Sequence, residues 1–383
     1  MKPCFLVVLA LVLAGPVAAD DSGCFVVRLG RDTVGIERYV RTASSLTVEQ
    51  VGRAPRVTRR HFAYDYAGGV LTHLAAVVTP AGAAVPTQTV DATVEPDSLR
   101  LSIRNGSGPA QVLGVAFPRG TLVVSAASPW AGYEGRIMEL VGARQDSVRT
   151  TMYFLGSPAP GWLSLRRLGR DTVVILNEHQ DLFHARVDRA GRILGVRPLA
   201  GTGKFSVERV AALDVDSMTT AFAGREQAGG GLGMLSPRDT LRIADAGGAS
   251  LWVDYGRPAV RGRTIFGEVV PFGEVWRTGA NAATQFRSDR DLDFGGTVVP
   301  AGFYTLWTIP APGGWKLVVN AETGQWGTEH KAAKDLFTIP MKVNALAQPV
   351  ERFTIGVEPN ARGGVLELDW DTTRASAAFT VRR

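Results

Sequence analysis

The sequence predicts an all-β protein in which an N-terminal curved antiparallel sheet, half-barrel or barrel-like, is followed by a C-terminal antiparallel β-sandwich. Short runs of Val, Ile, Leu, Thr and aromatic residues end at Gly, Asp, Asn or Pro along the whole chain, which is typical of antiparallel strands joined by turns. The spacing that long helices need is nearly absent. A length of 383 residues also exceeds what one β-domain usually holds, so two domains are expected.

A glycine-rich stretch places the predicted domain boundary. Residues 226–235 carry four of their ten positions as glycine, the composition of a flexible linker. The predicted organisation is therefore a signal peptide at 1–19, a curved-sheet domain at 20–225, the linker, and a sandwich domain at 236–383.

The first residues predict export. Lys2 precedes an apolar run at 5–14 that is too short to span a bilayer, and Val17 and Ala19 occupy the small-residue positions that a signal peptidase recognises. Cleavage after Ala19 would place the mature protein in the periplasm or outside the cell. No later stretch has the length of a membrane-spanning helix.

Two repeated motifs indicate a meander of hairpins in the N-terminal domain. Leu-Gly-Arg-Asp-Thr-Val occurs at 29–34 and at 168–173, and the turn motif at 65–71 has a counterpart at 188–194. Glycine in each motif supplies the positive φ that a tight turn needs. Short helices are expected only at 133–142 and 328–336.

The C-terminal domain reads as a sandwich of short strands. Tight turns are expected around Gly296 and Pro300 and at Gly313-Gly314. Six segments alternate or concentrate apolar residues as packed strands do. They are 250–255, 284–287, 302–309, 315–320, 352–357 and 364–370.

From Ser236 onward the sequence resembles the domain of unknown function 2911 family, which is found in exported bacterial proteins. The resemblance extends to the C-terminus, and the motifs that carry it are Ser236-Pro-Arg, Val253-Asp-Tyr-Gly-Arg-Pro258, Gly262-Arg-Thr-Ile-Phe-Gly267, Val270-Pro-Phe-Gly-Glu-Val-Trp-Arg-Thr-Gly-Ala-Asn281 with Thr284, Pro300-Ala-Gly-Phe-Tyr-Thr-Leu306, Ile309-Pro310, Asn320, Trp326-Gly327 and Leu368-Asp-Trp370. The family has no established activity, so the resemblance implies fold and export and leaves the chemistry open.

Composition and motif searches exclude several function classes. The net charge is +6, and the 42 basic residues are spread along the chain and mixed with 36 acidic residues. A nucleic-acid-binding protein would instead concentrate its basic residues on one surface. The sequence lacks a nucleophile elbow, a His-Glu-x-x-His motif and a Cys-x-x-Cys pair, and we expect neither cofactor nor metal. Gly201-Thr-Gly-Lys204 resembles part of a phosphate loop, but its glycine spacing is incomplete and we interpret it as a hairpin turn.

Charged and aromatic residues are concentrated in predicted loops of the C-terminal domain. Such loops often bind ligands, and an aromatic face suits a sugar ring, for which Trp276 and Trp326 are best placed. The competing interpretation is structural, since an arginine such as Arg277 can tie Asp254 or backbone carbonyls in a long turn. The ligand-binding candidates are Asp254, Tyr255, Arg257, Arg263, Trp276, Arg277, Asn281, Asn320, Trp326 and His330.

These observations favour a non-catalytic envelope protein that binds a small ligand, a glycan or a partner protein through the C-terminal domain. The alternatives are a periplasmic hydrolase that uses Asp254 or His330 with Arg277 as an anion clamp, and a purely structural protein. The hydrolase requires Asp254, Arg277, Asn281 and His330 to converge in one pocket.

Overall fold

The computed structural model describes residues 21–125 and 129–382, so the predicted signal peptide lies outside the described residues. Fifteen strands form one N-terminal sheet. They are β1 (Asp21–Leu29), β2 (Asp32–Arg41), β3 (Ser45–Gly52), β4 (Thr58–Ala67), β5 (Val70–Pro80), β6 (Gln88–Val94), β7 (Ser98–Asn105), β8 (Gln111–Ala116), β9 (Leu122–Val124), β10 (Ser147–Phe154), β11 (Gly161–Leu168), β12 (Thr172–Asn177), β13 (Leu182–Val187), β14 (Ile193–Ala200) and β15 (Ser206–Val210).

The N-terminal sheet is a meander in two halves. Strands β1 to β8 follow one another on one side, β15 to β9 follow one another on the other, and β1 pairs with β15 at the centre. Every pairing is antiparallel except that of β9 with β10, because helix α1 (Trp130–Gly142) crosses over between them. The prediction of an all-β fold with a large antiparallel N-terminal sheet is confirmed, and within the described residues this sheet is not closed into a barrel.

The repeated motifs form turns as predicted. Gly30 and Gly169 hold positive φ values of 59° and 74° in the β1–β2 and β11–β12 turns. Gly68 and Gly191 do the same in the β4–β5 and β13–β14 hairpins. The two copies of each motif thus share a turn glycine with positive φ at different places in the sheet.

Helix α1 fills the concave face of the N-terminal sheet. It begins three residues before the predicted start, at Trp130, where the Glu37 carboxylate of β2 accepts hydrogen bonds from the backbone N–H groups of Trp130 and Ala131 at 2.9 and 2.8 Å. A carboxylate suits this end because of the helix dipole. Burial raises the pKa of Glu37 to about 7.

A second buried carboxylate fastens the middle of α1. Glu134 is fully buried and accepts hydrogen bonds from Tyr39 of β2, from the Arg209 guanidinium of β15 and from the Ile193 backbone N–H at 2.7 Å. Arg41 Nη1 lies 3.6 Å from it. One side chain therefore joins the helix to β2, β14 and β15.

Helix α2 (Val215–Arg225), which the sequence analysis missed, covers the convex face of β1–β3. The first half of the predicted linker continues it as a π-helical turn, Glu226–Gly230. The Glu226 carboxylate accepts a hydrogen bond from the Val57 backbone N–H at 3.0 Å, so this part of the connection is attached to the N-terminal sheet. The independence of the two domains stays a prediction.

Nine strands form the C-terminal sheet, in the order β16-β17-β18-β21-β22-β23-β24-β19-β20. Four of the six predicted segments match β17, β18, β21 and β22, whereas the last two belong to much longer strands. The segment expected to be a helix at 328–336 holds only a 3-10 turn, Ala332–Lys334. The strands are β16 (Arg238–Ala246), β17 (Ala249–Gly256), β18 (Thr284–Ser288), β19 (Leu292–Phe294), β20 (Thr297–Val299), β21 (Gly302–Ile309), β22 (Trp315–Asn320), β23 (Asp335–Asn360) and β24 (Gly363–Val381).

The C-terminal sheet folds over its own core. The Tyr255 hydroxyl in β17 accepts a hydrogen bond from the Ile355 backbone N–H in β23 at 3.1 Å, although these strands are not neighbours in the sheet. Register shifts between Ala345 and Thr354 bend β23, as bulges do. One core cluster consequently draws residues from all nine strands. The sandwich is built from a single bent sheet, because β23 and β24 are long enough to contribute to both layers.

The two sheets contact each other through loops. The β1–β2 turn meets residues 259–263, where the Arg31 backbone N–H donates to the Arg261 carbonyl at 3.0 Å and the Arg261 guanidinium pairs with Asp32. Thr328 Oγ1 donates to the His179 carbonyl at 3.0 Å. Among the described helices none is both long and apolar enough to cross a membrane.

Candidate functional site

A cleft of about 800 Å³ lies between the two sheets. The N-terminal sheet lines it with the β14–β15 connection at 201–205 and with Ala54 and Pro55. The C-terminal sheet contributes residues 269–271, 274–277, 279–281 and 327–328, together with Arg263 and Trp370. A cavity of this size between two structural units is a common setting for small-molecule binding.

The loop that presents Arg277 is held in an unusual backbone conformation. Thr278 and Asn281 have φ values of 51° and 62°, a region that a β-branched residue such as threonine rarely adopts. The fully buried Thr278 is fixed by its carbonyl, which accepts a hydrogen bond from Thr284 Oγ1 at 2.6 Å, and by its own hydroxyl, 3.2 Å from Thr308 Oγ1. Strain supported in this way is frequent at functional sites.

Arg277 reaches backbone carbonyls, as one branch of the sequence analysis expected. Its Nη1 and Nη2 lie 3.4 Å from the carbonyl oxygens of Gly327 and Gly201, near the outer limit for a hydrogen bond. The other branch, a pairing with Asp254, does not occur, because Arg238 Nε binds that carboxylate at 2.7 Å. The guanidinium therefore bridges the two sheets with weak bonds only.

Lys204 and Arg263 line the same cleft as Arg277. Arg263 donates to the carbonyls of Val260 and Ala259 at 3.0 and 2.5 Å, so like Arg277 it is bound to the main chain rather than to a carboxylate of the described residues. Asp181, which favours the charged forms of Lys204 and Arg277, accepts hydrogen bonds from the backbone N–H groups of Thr202 and Gly203. Its charge is shared with these donors.

The pKa values of these three groups are lowered mainly by burial. Burial, followed by repulsion from Arg277, lowers the pKa of Lys204 to about 8. Burial lowers the pKa of Arg277 to about 10, and burial together with Arg261 does the same to the pKa of Arg263. Burial disfavours the charged forms of all three groups, whereas Asp181 favours the charged forms of Lys204 and Arg277.

Two buried donors of the cleft lining have no hydrogen-bond acceptor within the described parts of the chain: Arg277 Nε and Trp370 Nε1. Buried polar groups in native proteins are nearly always paired. Trp276 stacks on Trp370 at 5.7 Å between ring centroids and donates its own Nε1–H to the Gly279 carbonyl at 3.1 Å. Both unpaired donors are therefore buried within the residues that line the cleft.

The other predicted candidates lie outside this cleft. Asp254 pairs with Arg238, Arg257 pairs with Asp239 at 2.9 Å, and the buried Tyr255 bonds Ile355 within the core.

Asn320 and His330 form a separate cluster on Asp335, at 2.7 and 2.8 Å. Trp326 is 37% exposed beside the cleft residue Gly327. Of the ten candidates, the structure brings Arg263, Trp276, Arg277 and Asn281 together at the cleft.

Sequence reasoning missed Lys204 as a site residue. The connection at 201–205 does join antiparallel strands β14 and β15, which confirms the hairpin interpretation, but it also faces the C-terminal sheet across the cleft. The sequence signal that could have indicated this residue is its type, because most of the positive charge of the chain comes from arginine. Lys204 also lies in a turn sequence, between Gly203 and Phe205.

Comparisons with known proteins identify a family for the C-terminal domain and are silent on chemistry. Residues 236–379 match the model of a family described as a protein of unknown function, DUF2911, so the resemblance found in the sequence is confirmed for the C-terminal domain. The N-terminal part has no family match. No curated protein matches the chain.

Two solved structures are distantly similar to this chain. One is a β-barrel-like protein of the domain of unknown function DUF1849 from Brucella abortus, at 11% identity and a TM-score of 0.34, over 50% of this chain and 94% of that one. The other is a DnaN sliding clamp, the beta subunit of DNA polymerase III, from Bartonella birtlesii, at 8% identity and a TM-score of 0.10, over 94% and 92%. Both similarities are too weak to carry an argument about this chain.

Proposed function

We propose that this chain is an exported envelope protein that binds a small anionic ligand in the cleft between its two sheets, without catalysing a reaction. The observation that supports this most directly is the grouping of Lys204, Arg263 and Arg277 on one cavity with no carboxylate bound to either arginine among the described residues. Export is supported by the sequence pattern of residues 1–19.

An anion would give the Arg277 guanidinium stronger partners than it has. Its Nη1 and Nη2 make only long bonds to two carbonyls, and a carboxylate, sulfate or phosphate group offers several acceptors. Hydrogen bonds between a cation and an anion are about twice as strong as neutral ones. The low exposure of these groups further strengthens the attraction, because water screens it less.

The hydrolase alternative has less support. Within the described lining of the cleft the only carboxylate is that of Glu274, and it is exposed. The proposed acid or base residues Asp254 and His330 are bound elsewhere, to Arg238 and Asp335. A paired general acid and general base is therefore missing from the position where Arg277 would hold a substrate anion.

Arg277→Ala tests the proposed site. We expect it to weaken sulfate binding at least tenfold, a loss of about 1.4 kcal/mol or more, measured by titration of the tryptophan fluorescence, to which Trp276 and Trp370 in the cleft contribute. The free energy of unfolding should fall by only about 1 kcal/mol, since the two hydrogen bonds lost are long. A decrease of roughly 2 to 4 kcal/mol with sulfate binding retained would instead establish a structural arginine.

Arg189→Ala is the matched control. Arg189 is exposed in the β13–β14 hairpin, at the end of β14 opposite to the 201–205 connection. The Arg189→Ala substitution removes the same charge as Arg277→Ala but far from the cleft. Sulfate affinity should therefore stay within about twofold of wild type. An equal loss in both variants would mean that sulfate responds to net charge alone, which contradicts the site.

Sulfate binding should also weaken as the pH rises. Lys204 is charged below its pKa of about 8 and neutral above it, whereas sulfate keeps its charge. The groups that act on Lys204 are Arg277 and Arg263, which favour its neutral form, and Asp181, which favours its charged form. We expect affinity to fall roughly three- to tenfold from pH 7 to pH 9, and the fall should be absent in Lys204→Met. An unchanged fall in that variant would assign the titration to another group.

A further inference from the structure

A second cavity, of about 660 Å³, lies on the concave side of the N-terminal sheet. We call it the chamber. Its walls are mainly apolar and come from strands on both halves of the sheet and from α1, including Val27, Phe62, Val90, Ile103, Trp130 and Phe183. A cavity lined in this way favours a ligand with apolar surface, because transfer of that surface from water is favourable.

The chamber adjoins the cleft. Ala54, Pro55, Phe205 and Leu235 line both cavities. Phe205 directly follows Lys204, so the boundary between the apolar and the cationic cavity falls within two consecutive residues of the β14–β15 connection. A ligand that occupies both must be polar and anionic at one end and apolar at the other.

The described lining of the chamber contains one cation, Arg60. Arg60 and the buried Phe62 are two residues apart in β4 and therefore share the concave face, whereas the exposed His61 between them lies on the other face. It lies near the start of β4, the end of the strand that follows Ala54 and Pro55. Positive charge is therefore found at the cleft end of the chamber, and the rest of the described lining is mainly apolar, with Gln50, Gln88, Ser125 and Asn177 as polar members.

We propose that the ligand is a single-chain amphiphile, with its anionic head in the cleft at Lys204, Arg263 and Arg277 and its alkyl chain in the chamber. The inference rests on the proposed function and specifies its ligand class. Free fatty acids and lysophospholipids share this chemistry. Two cavities of about 800 and about 660 Å³ are each within the usual range for small-molecule sites.

The first test is a series of straight-chain alkanoates, from butanoate to decanoate, below their micellar concentrations. Because each buried methylene contributes about 0.8 kcal/mol, affinity should rise about fourfold with every added carbon until the chamber is full. 1-Decanoyl-lysophosphatidic acid is the second arm, which compares a phosphate head with a carboxylate on the same chain. Affinity independent of chain length in the alkanoate series would overturn the inference, while sulfate binding lost in Arg277→Ala would leave the proposed function standing.

Filling the chamber is the second test. Val78 lines it, whereas its neighbour Val77 does not and belongs to the opposite face of β5. We expect Val78→Trp to lower the ratio of decanoate affinity to sulfate affinity at least tenfold and Val77→Trp to leave the ratio unchanged. Val78→Phe adds less volume and should give an intermediate loss, which keeps the test available if Val78→Trp does not fold. An unchanged ratio in a folded Val78 variant would place the alkyl chain outside the chamber.

The head position is tested by decanoate binding to Arg277→Ala and Arg60→Ala. The proposal expects the larger loss, at least tenfold, in Arg277→Ala. If Arg60→Ala lost affinity and Arg277→Ala retained it, the head would lie inside the chamber, which would overturn the proposed orientation. Sulfate binding in the same two variants then shows separately whether the cleft is an anion site.

Discussion

Glu134→Gln is expected to lower the free energy of unfolding by about 3 to 5 kcal/mol, the range found when one partner of a buried ion pair is removed. The Glu134 carboxylate is fully buried and receives hydrogen bonds from Tyr39, Arg209 and the Ile193 backbone N–H. Without its negative charge, Arg209, of which only 18% is exposed, would be left with no compensating carboxylate. Chemical denaturation followed by circular dichroism measures the change.

Glu139→Gln on the same helix is the control. Glu139 pairs with Arg136 one turn away at 2.8 Å and is 61% exposed, and such pairs contribute about 0.5 kcal/mol or less. The two substitutions remove the same charge from α1, so their difference isolates the buried network. Equal effects would contradict the assignment of Glu134 as the side chain that fastens α1 to the concave face.

Gly30→Ala is expected to cost about 2 to 4 kcal/mol, because it combines a backbone penalty with a steric one. Gly30 has a φ of 59°, and an added Cβ would overlap the Arg261 carbonyl oxygen of the C-terminal sheet. That oxygen also accepts the Arg31 backbone N–H. The substitution should therefore separate the β1–β2 turn from the C-terminal sheet.

The chain contains a control for this effect in the other copy of the same motif. Gly169 also has a positive φ, 74°, but an added Cβ there would meet nothing within 4 Å. Gly169→Ala should cost only the backbone penalty, about 1 kcal/mol. Limited proteolysis should cut the 231–237 connection faster in Gly30→Ala than in Gly169→Ala. Equal stability losses and equal cutting would show that the contact with Arg261 does not hold the sheets together.

Both substitutions bear on the proposed binding site. The cleft exists only where the two sheets face each other, and α1 forms part of the chamber wall. The sheets are held together by the contact of the β1–β2 turn with Arg261 and by the hydrogen bond from Thr328 to the His179 carbonyl. These contacts set the distance between the loops that carry Lys204 and Arg277. We therefore expect Gly30→Ala to weaken anion binding although Gly30 itself is not a cleft residue.

Local patterns determined most of the strand and turn structure. Alternating apolar residues and turn glycines predicted β21 and β22 with their bounds, the hairpin at Gly313-Gly314 between them, and the turns at Gly30 and Gly169. These features are readable because backbone conformation in a tight turn depends on a few adjacent residues. Helix α2 was missed although Asp214 caps it by accepting the Ser217 backbone N–H at 3.0 Å, a signal that its polar composition obscured.

The site was determined by tertiary structure. The sequence singled out Arg277 and its strained loop, and the expectation that the arginine reaches backbone carbonyls is confirmed, with one of them, at Gly201, supplied by the other sheet. The hydrolase alternative required Asp254 and His330 to converge with it in one pocket, but these residues pair with Arg238 and Asp335 instead. Lys204 joins Arg277 only because the sheets dock. The sequence alone determined residue chemistry and local conformation, whereas the meeting of these charges depends on contacts between residues far apart in the chain, which no local pattern records.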